Sequence, residues 1–150
     1  MTLSVIIPVY NENKNIIKTI KNLYRIKSKV KKLEIIFIDD FSTDNTLNVL
    51  QKYSKKYSFI KFSKNKKKGL GSAIETGIKK SKNKFVTIFM CDSSDSTYDL
   101  IKYYENISQN KHDAVLGSRF IKKSKIKNYP SFKFFLNRIF NNFLKIVFFS

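Results

Sequence analysis

The sequence has no tryptophan, one cysteine, one histidine, two prolines and four glycines in 150 residues. One cysteine rules out an internal disulfide and fits a reducing compartment. One histidine, His112, rules out chemistry that needs paired imidazoles. Few prolines and glycines, with 42% apolar residues, argue against a disordered chain. Long uncharged runs are also missing, so no ordinary membrane span is expected. The opening residues, MTLSVIIPVY, have no basic region before the apolar stretch and no small-residue cleavage site. They read as a buried strand rather than a signal peptide. The length suits one domain with a single core.

Acids are scarce as well. Eleven Asp and Glu stand against 30 Lys and Arg, a net charge of +19. Such a charge suggests an anionic partner: nucleic acid, a phospholipid surface or a phosphorylated substrate. Only Arg25, Arg119 and Arg138 are arginines, and the chain is rich in Asn, Ile and Phe. An AT-rich coding sequence accounts for most of the lysines as solvated surface. A dedicated nucleic-acid binder places Arg and exposed aromatics together in a groove. Here most aromatics fall in periodic apolar segments, so no nucleic-acid partner is expected.

Apolar runs of strand length alternate with helical patterns. Strands are expected at 3–9, 33–38, 59–62, 85–90 and 114–116. Helices are expected at 13–26, after the capping residues Ser42, Thr43 and Asp44, at 70–80 and at 98–107. In the first helix Ile16, Ile17, Ile20, Leu23 and Tyr24 share a face. This order implies an α/β fold, a mostly parallel sheet with helices on both faces. Ligands of such sheets sit at the carboxyl ends of the strands. Glu12, Asp39, Asp40, Asp92 and Asp95 all follow expected strand ends, so five of the eleven acids should meet at one edge. Coding bias does not explain that placement. Residues 131–150 differ: Phe132, Phe135, Leu136, Ile139, Phe140, Phe143, Leu144 and Val147 follow i, i+3, i+4 spacing opposite a polar face. That amphipathic helix suits a membrane surface or, equally, packing on the sheet or on a continuation of the chain.

Four segments carry chemistry. Pro8-Val9-Tyr10-Asn11-Glu12 offers a stacking ring and an acceptor. Asp39-Asp40-Phe41-Ser42-Thr43-Asp44 sets two adjacent carboxylates at the sheet mouth, costly unless they meet donors or a cation. Lys68-Gly69-Leu70-Gly71 opens a helix with glycines that let backbone N–H groups approach a ligand. Cys91-Asp92-Ser93-Ser94-Asp95, followed by Gly117-Ser118-Arg119, suits Mg²⁺ or Mn²⁺ shared with a diphosphate. Taken singly each has an ordinary structural explanation, and Asp40 divides evenly between capping and binding.

In this order the segments resemble the inverting GT-A glycosyltransferases of family 2, within them the polyprenyl-phosphate sugar transferases of the dolichol-phosphate mannosyltransferase type. The likeness runs over roughly residues 3–148 and includes Asn128-Tyr129-Pro130, Lys133, Asn137-Arg138 and Asn141-Asn142. It implies a GT-A domain over residues 1–130 and a nucleotide-sugar donor. Pro8, Tyr10 and Glu12 would border base and ribose, and Asp39 would accept a hydrogen bond from the base. Asp40, Lys68 and Gly69 would complete the nucleotide site. Asp92, with Asp95, would hold Mg²⁺ or Mn²⁺. Arg119 and Lys133 would hold phosphates, Lys133 that of a lipid-phosphate acceptor. Peripheral contact at the cytoplasmic face of a membrane follows. With no histidine near the motifs, a phosphate acceptor removes the need for a base, its second pKa being about 6; Asp95 is the base if the acceptor is a hydroxyl.

Two departures stand out. The family's usual Asp-x-Asp is here Asp92-Ser93-Ser94-Asp95, and Phe41 stands where the family has Gly, so a positive φ there would be strained. Relatives also continue further, so a truncated chain is expected. The competing readings are an inactive nucleotide-binding domain, a relative that glycosylates a saccharide hydroxyl, and, remotely, a basic nucleic-acid-binding protein.

Overall fold

Strands β1 (Thr2–Val9) and β2 (Lys32–Asp39) are buried along almost their whole length. Only strands covered on both faces can be so, and it explains their near-continuous Ile, Val and Leu. The computed structural model describes residues 2–109, 112–117 and 130–148. Between β1 and β2 lie helix α1 (Asn13–Arg25) and a short 3-10 turn (Lys27–Lys29). Then come α2 (Thr46–Lys56), β3 (Ile60–Lys64), α3 (Leu70–Lys80), β4 (Phe85–Ile88) and α4 (Thr97–Ser108). Helix α5 (Ser131–Phe148) belongs to a second unit: residues 1–115 form one compact unit and 116–150 another.

All four strands run parallel in the order β3-β2-β1-β4. Every carboxyl end therefore opens on one edge. β1 and β2 are central and β4 is an edge strand with alternating burial. Pro8 has no N–H to carry the β1–β4 ladder beyond the bond from Phe89 N–H to the Ile6 carbonyl (2.9 Å), and the pairing ends there. β1 continues for three more positions, Ile7 to Val9, with β2 alone.

One face of the sheet holds the larger core. Leu3, Val5, Ile7 and Val9 of β1 and Leu33, Ile35 and Phe37 of β2 pack with Ile16, Ile20 and Leu23 of α1, Leu50 of α2 and Leu100 of α4. On the other face Ile6, Ile36 and Ile38 meet Ala73 of α3. Helix α3 lies unusually close there: a Cβ on Gly77 would fall 2.3 Å from Ile6 Cγ2. On the same face the buried Glu34 accepts from Ser4 Oγ (2.8 Å), the Lys82 N–H (3.1 Å) and Lys61 Nζ. Burial raises its carboxyl pKa, but these donors outweigh that and hold it below the ordinary 4.5.

The expected helices and the first four strands form, with ends shifted by a few residues. The strand expected at 114–116 does not: residues 114–117 lie in no regular element, and Leu116 is 91% exposed. No neighbouring strand supplies it with a ladder, and three residues cannot hold a strand alone. On α1, Ile16, Ile20 and Leu23 are buried while Ile17 and Tyr24 stay largely exposed. The Tyr24 ring instead packs beside Tyr57 and Phe59, with centroids about 6.0 and 5.9 Å away.

Gly77→Ala should destabilise the domain despite alanine's better helix propensity. The net loss is about 1–2 kcal/mol, since overpacking costs more than propensity returns; urea unfolding reads it directly.

Candidate functional site

The four loops that leave the carboxyl ends of the strands form the candidate site. After β1 come Tyr10, Asn11 and Glu12; after β2, Asp40 to Asn45; after β3, Asn65 to Gly69; after β4, Phe89 to Asp95. Among the described residues, every positive φ falls in these loops, one in each: Asn11 (56°), Phe41 (65°), Gly69 (129°) and Ser93 (66°). Backbone strain collects where a site needs side chains aimed against the chain's own preference.

Asn11 ties the first loop to the second. Its N–H donates to Ser42 Oγ (3.0 Å), and its Oδ1 accepts from the Thr43 N–H (2.8 Å) and the Asp44 N–H (3.3 Å). Asparagine tolerates the left-handed backbone that this requires. Nearby the Glu12 N–H donates to the buried Thr46 Oγ1 (2.9 Å), and Glu12 Oε2 accepts from Asn15 Nδ2 (2.7 Å). Asp44 Oδ1 takes the Thr46 N–H (2.9 Å) and so holds the start of α2, as its place among the capping residues suggested.

Asn65 ties the second loop to the third. It is 6% exposed. Its N–H donates to the Asp39 carbonyl (2.8 Å), its Nδ2 to Asp40 Oδ1 (2.8 Å) and the Lys67 carbonyl. Its Oδ1 accepts from the Lys66 N–H (2.9 Å), Ser72 Oγ (3.1 Å) and Thr76 Oγ1 (3.1 Å). Sequence reasoning gave Asn11, though it lies in the first motif, no role and passed over Asn65. The available signal was an Asn directly after a strand end, where a short amide can turn the chain and bond back to it.

The predicted acids reach the same edge but do different work. Asp40 accepts the Gly69 N–H on both oxygens (3.0 and 2.9 Å), so Asp40 and Gly69 satisfy each other and hold the start of α3. Asp95 Oδ2 accepts the Met90 N–H (2.7 Å), a loop-closing bond. Asp92 is exposed; its Oδ1 takes the Ser94 N–H (2.9 Å). Glu12 and Asp92 lie close enough for both charges to act on Cys91. Burial first, then those charges, push its thiol up to about 11, against the hydrogen bond with Thr19. The thiol stays protonated and is no nucleophile.

Asp39 is the exception among them. It is 2% exposed at the last β1–β2 register position, opposite Val9. Oδ2 accepts the Ser42 N–H (3.4 Å), while Oδ1, fully buried, has no hydrogen-bond partner. A buried carboxylate oxygen without a donor is costly, and a water, a cation or a ligand N–H is the kind of group that relieves it. On the neighbouring loop Tyr10 is half exposed, with Lys68 Nζ 5.3 Å from its ring centre. Pro8 is buried in β1. Arg119 falls outside the described residues, and Lys133 lies on α5 in the second unit.

No cluster of three His, Cys, Asp or Glu that could hold a metal occurs among the described residues. A preformed cage is therefore not there. One exposed carboxylate, Asp92, suits instead a cation delivered with a diphosphate, since Mg²⁺ is commonly held by one or two carboxylates plus phosphate oxygens.

Residues 4–149 match the family model "Glycosyl transferase family 2". The chain belongs to that family. It is 33% identical over 135 residues to a dolichol-phosphate mannosyltransferase of Pyrococcus furiosus, covering 89% of this chain and 37% of that protein. It is 32% identical over 116 residues to a poly-beta-1,6-N-acetyl-D-glucosamine synthase of Staphylococcus aureus, covering 77% of this chain and 27% of the other. A Pyrobaculum calidifontis mannosyltransferase solved with GDP-Man and Mn²⁺ matches at 25% identity and a TM-score of 0.55, over 60% of this chain and 27% of that one. The fold is GT-A, as expected. The chain spans about a third of the length of these relatives.

Asn65→Ala strips partners from Asp40, Ser72 and Thr76 together. It should lower stability by about 2–4 kcal/mol, a few buried hydrogen bonds' worth, measured by chemical unfolding.

Proposed function

We propose that this family 2 domain binds a nucleotide-sugar and transfers the sugar, with inversion, to a polyprenyl-phosphate acceptor. The observation that carries the donor half is the unpartnered Oδ1 of buried Asp39. A nucleobase N–H is the kind of donor that would satisfy it, and Tyr10 beside it offers a face for the base. Pro8 and Glu12, on the strand and loop that carry Tyr10, would border the nucleoside. Lys68, over the Tyr10 ring, brings positive charge toward the phosphates.

Asp92 would hold Mg²⁺ or Mn²⁺ together with the diphosphate. A divalent cation, when bound there, offsets the charge that gathers on the leaving nucleoside diphosphate. An acceptor phosphate oxygen attacks the anomeric carbon as the bond to the diphosphate breaks on the opposite side. The phosphate is already anionic near neutral pH, so no side chain need take a proton. That accords with Asp95 being held in a loop bond. Arg119 and Lys133 are the cations assigned to the acceptor phosphate. The lipid acceptor is supported by the name of the archaeal relative. The staphylococcal synthase supports a second reading, in which the acceptor is a saccharide.

Helix α5 supports a lipid acceptor on physical grounds. Phe132, Phe135, Ile139, Phe140, Phe143 and Ile146 are all more than half exposed. No Asp or Glu occurs between 131 and 148, where Lys133, Arg138 and Lys145 carry the charge. Among the described residues no helix is long and apolar enough to cross a membrane. Such a helix lies in the interface, rings among the acyl chains and cations at anionic headgroups, at the cytoplasmic face.

Asp39→Asn keeps the shape but replaces the acceptor charge. It should weaken UDP or GDP binding about 10- to 100-fold, the worth of a charged hydrogen bond, in calorimetry; unchanged affinity refutes the donor site. Asp92→Ala should abolish the gain in nucleotide affinity that Mn²⁺ confers and leave metal-free binding intact. A Mn²⁺ effect that survives the substitution removes Asp92 from the metal site.

A further inference from the structure

Phe41 is the bulky residue among the positive-φ positions, at 65°, and the residue is 48% exposed. Asparagine, glycine and serine at the other three loops accept such backbone more readily or lose little by it. A large aromatic is a true outlier there. The burial of a core side chain does not hold the strain in place, because the residue is half exposed. Hydrogen bonds around the turn hold it. The Ser42 N–H reaches back to Asp39 Oδ2 (3.4 Å), and the Asn11 N–H clamps Ser42 Oγ (3.0 Å). The turn that carries Phe41 thus closes onto the very carboxylate whose other oxygen lacks a partner. Phe41 lies two residues after Asp39, on the turn that this carboxylate closes.

We propose that Phe41 is a base-contacting residue, its ring packing on the nucleobase of the donor, with Tyr10 on the adjoining loop as a second aromatic surface. The inference rests on the nucleotide-sugar reading and adds a recognition element to it. An aromatic face contributes to base binding with little regard to sequence of ring atoms, because every base has a π-face. A strained exposed ring is retained where the bound state uses it.

The test compares wild type, Phe41→Gly, Phe41→Leu and Phe41→Tyr by calorimetry and thermal unfolding. The probes are UDP, GDP and inorganic pyrophosphate, each with Mn²⁺. Glycine relieves the backbone, so Phe41→Gly should melt no lower than wild type. It should bind UDP and GDP at least fivefold more weakly while its pyrophosphate affinity stays unchanged. Phe41→Leu, which keeps the Cβ but loses the ring, should lose nucleotide affinity in the same way; Phe41→Tyr should retain it. A parallel loss of pyrophosphate binding overturns the proposal, since it shows a collapsed loop and not a lost base contact. So does full nucleotide affinity in Phe41→Gly. A wild-type protein that binds neither nucleotide refutes the donor reading itself, and this inference with it.

Discussion

The register of β1 against β2 is the constraint from which the rest follows. Val9 pairs with Asp39 at the end of two parallel strands buried on both faces. That pairing carries a carboxylate into the last rung of the core, where water cannot solvate it. A slip of one residue would turn Asp39 to the other face and set Asp40 in its place. Parallel strands also oblige each connection to cross over and return, so all four loops start from one edge. Chemistry gathers at that edge because topology allows it nowhere else.

Holding four short loops there has its own requirements. Two asparagines meet them. Asn11 joins the loops after β1 and β2, and Asn65 joins those after β2 and β3. Each uses both ends of a side-chain amide, donor and acceptor, or its own backbone N–H beside it, to satisfy groups that no ladder reaches. Asp40, Asp44 and Asp95 serve the same end by accepting backbone N–H groups. The aspartates of the edge thus divide. Three hold the scaffold, while buried Asp39 and exposed Asp92 keep acceptor capacity for something else. The positive-φ residues follow the same distribution, one to a loop, and Phe41 is the one for which that backbone is costly.

The two units differ in kind. Residues 1–115 carry a two-faced core and its ligand edge, whereas α5 presents apolar rings and cations without an acid among them. The charge of +19 is read differently in each. On the first unit lysines are spread over helices, strands and loops, with Lys68 placed over Tyr10. On α5 three cations, Lys133, Arg138 and Lys145, stand in an apolar sequence that holds no acid. Both units fall within the family 2 match, which spans residues 4–149.

Much of the fold was legible from the periodicity. Helix α3 forms over the expected residues, Leu70–Lys80, because glycines mark its start and the apolar spacing is helical. The strand expected at 114–116 failed because a run of three apolar residues says nothing about whether a neighbour exists to bond it. Ile17 and Tyr24 share the helical spacing of α1, yet a face is wider than the contact it makes. The sequence by itself determined which residue types stand after each strand, hence the acids at the sheet mouth, since local order is enough to place a loop. It also placed Phe41 where positive φ would strain it. Only the tertiary structure decided which of two adjacent carboxylates is free: Asp40 meets Gly69, 29 residues away, and Asp39 keeps one oxygen bare. Partners so distant along the chain come together through the packing of β2, β3 and α3, and no local pattern contains that information.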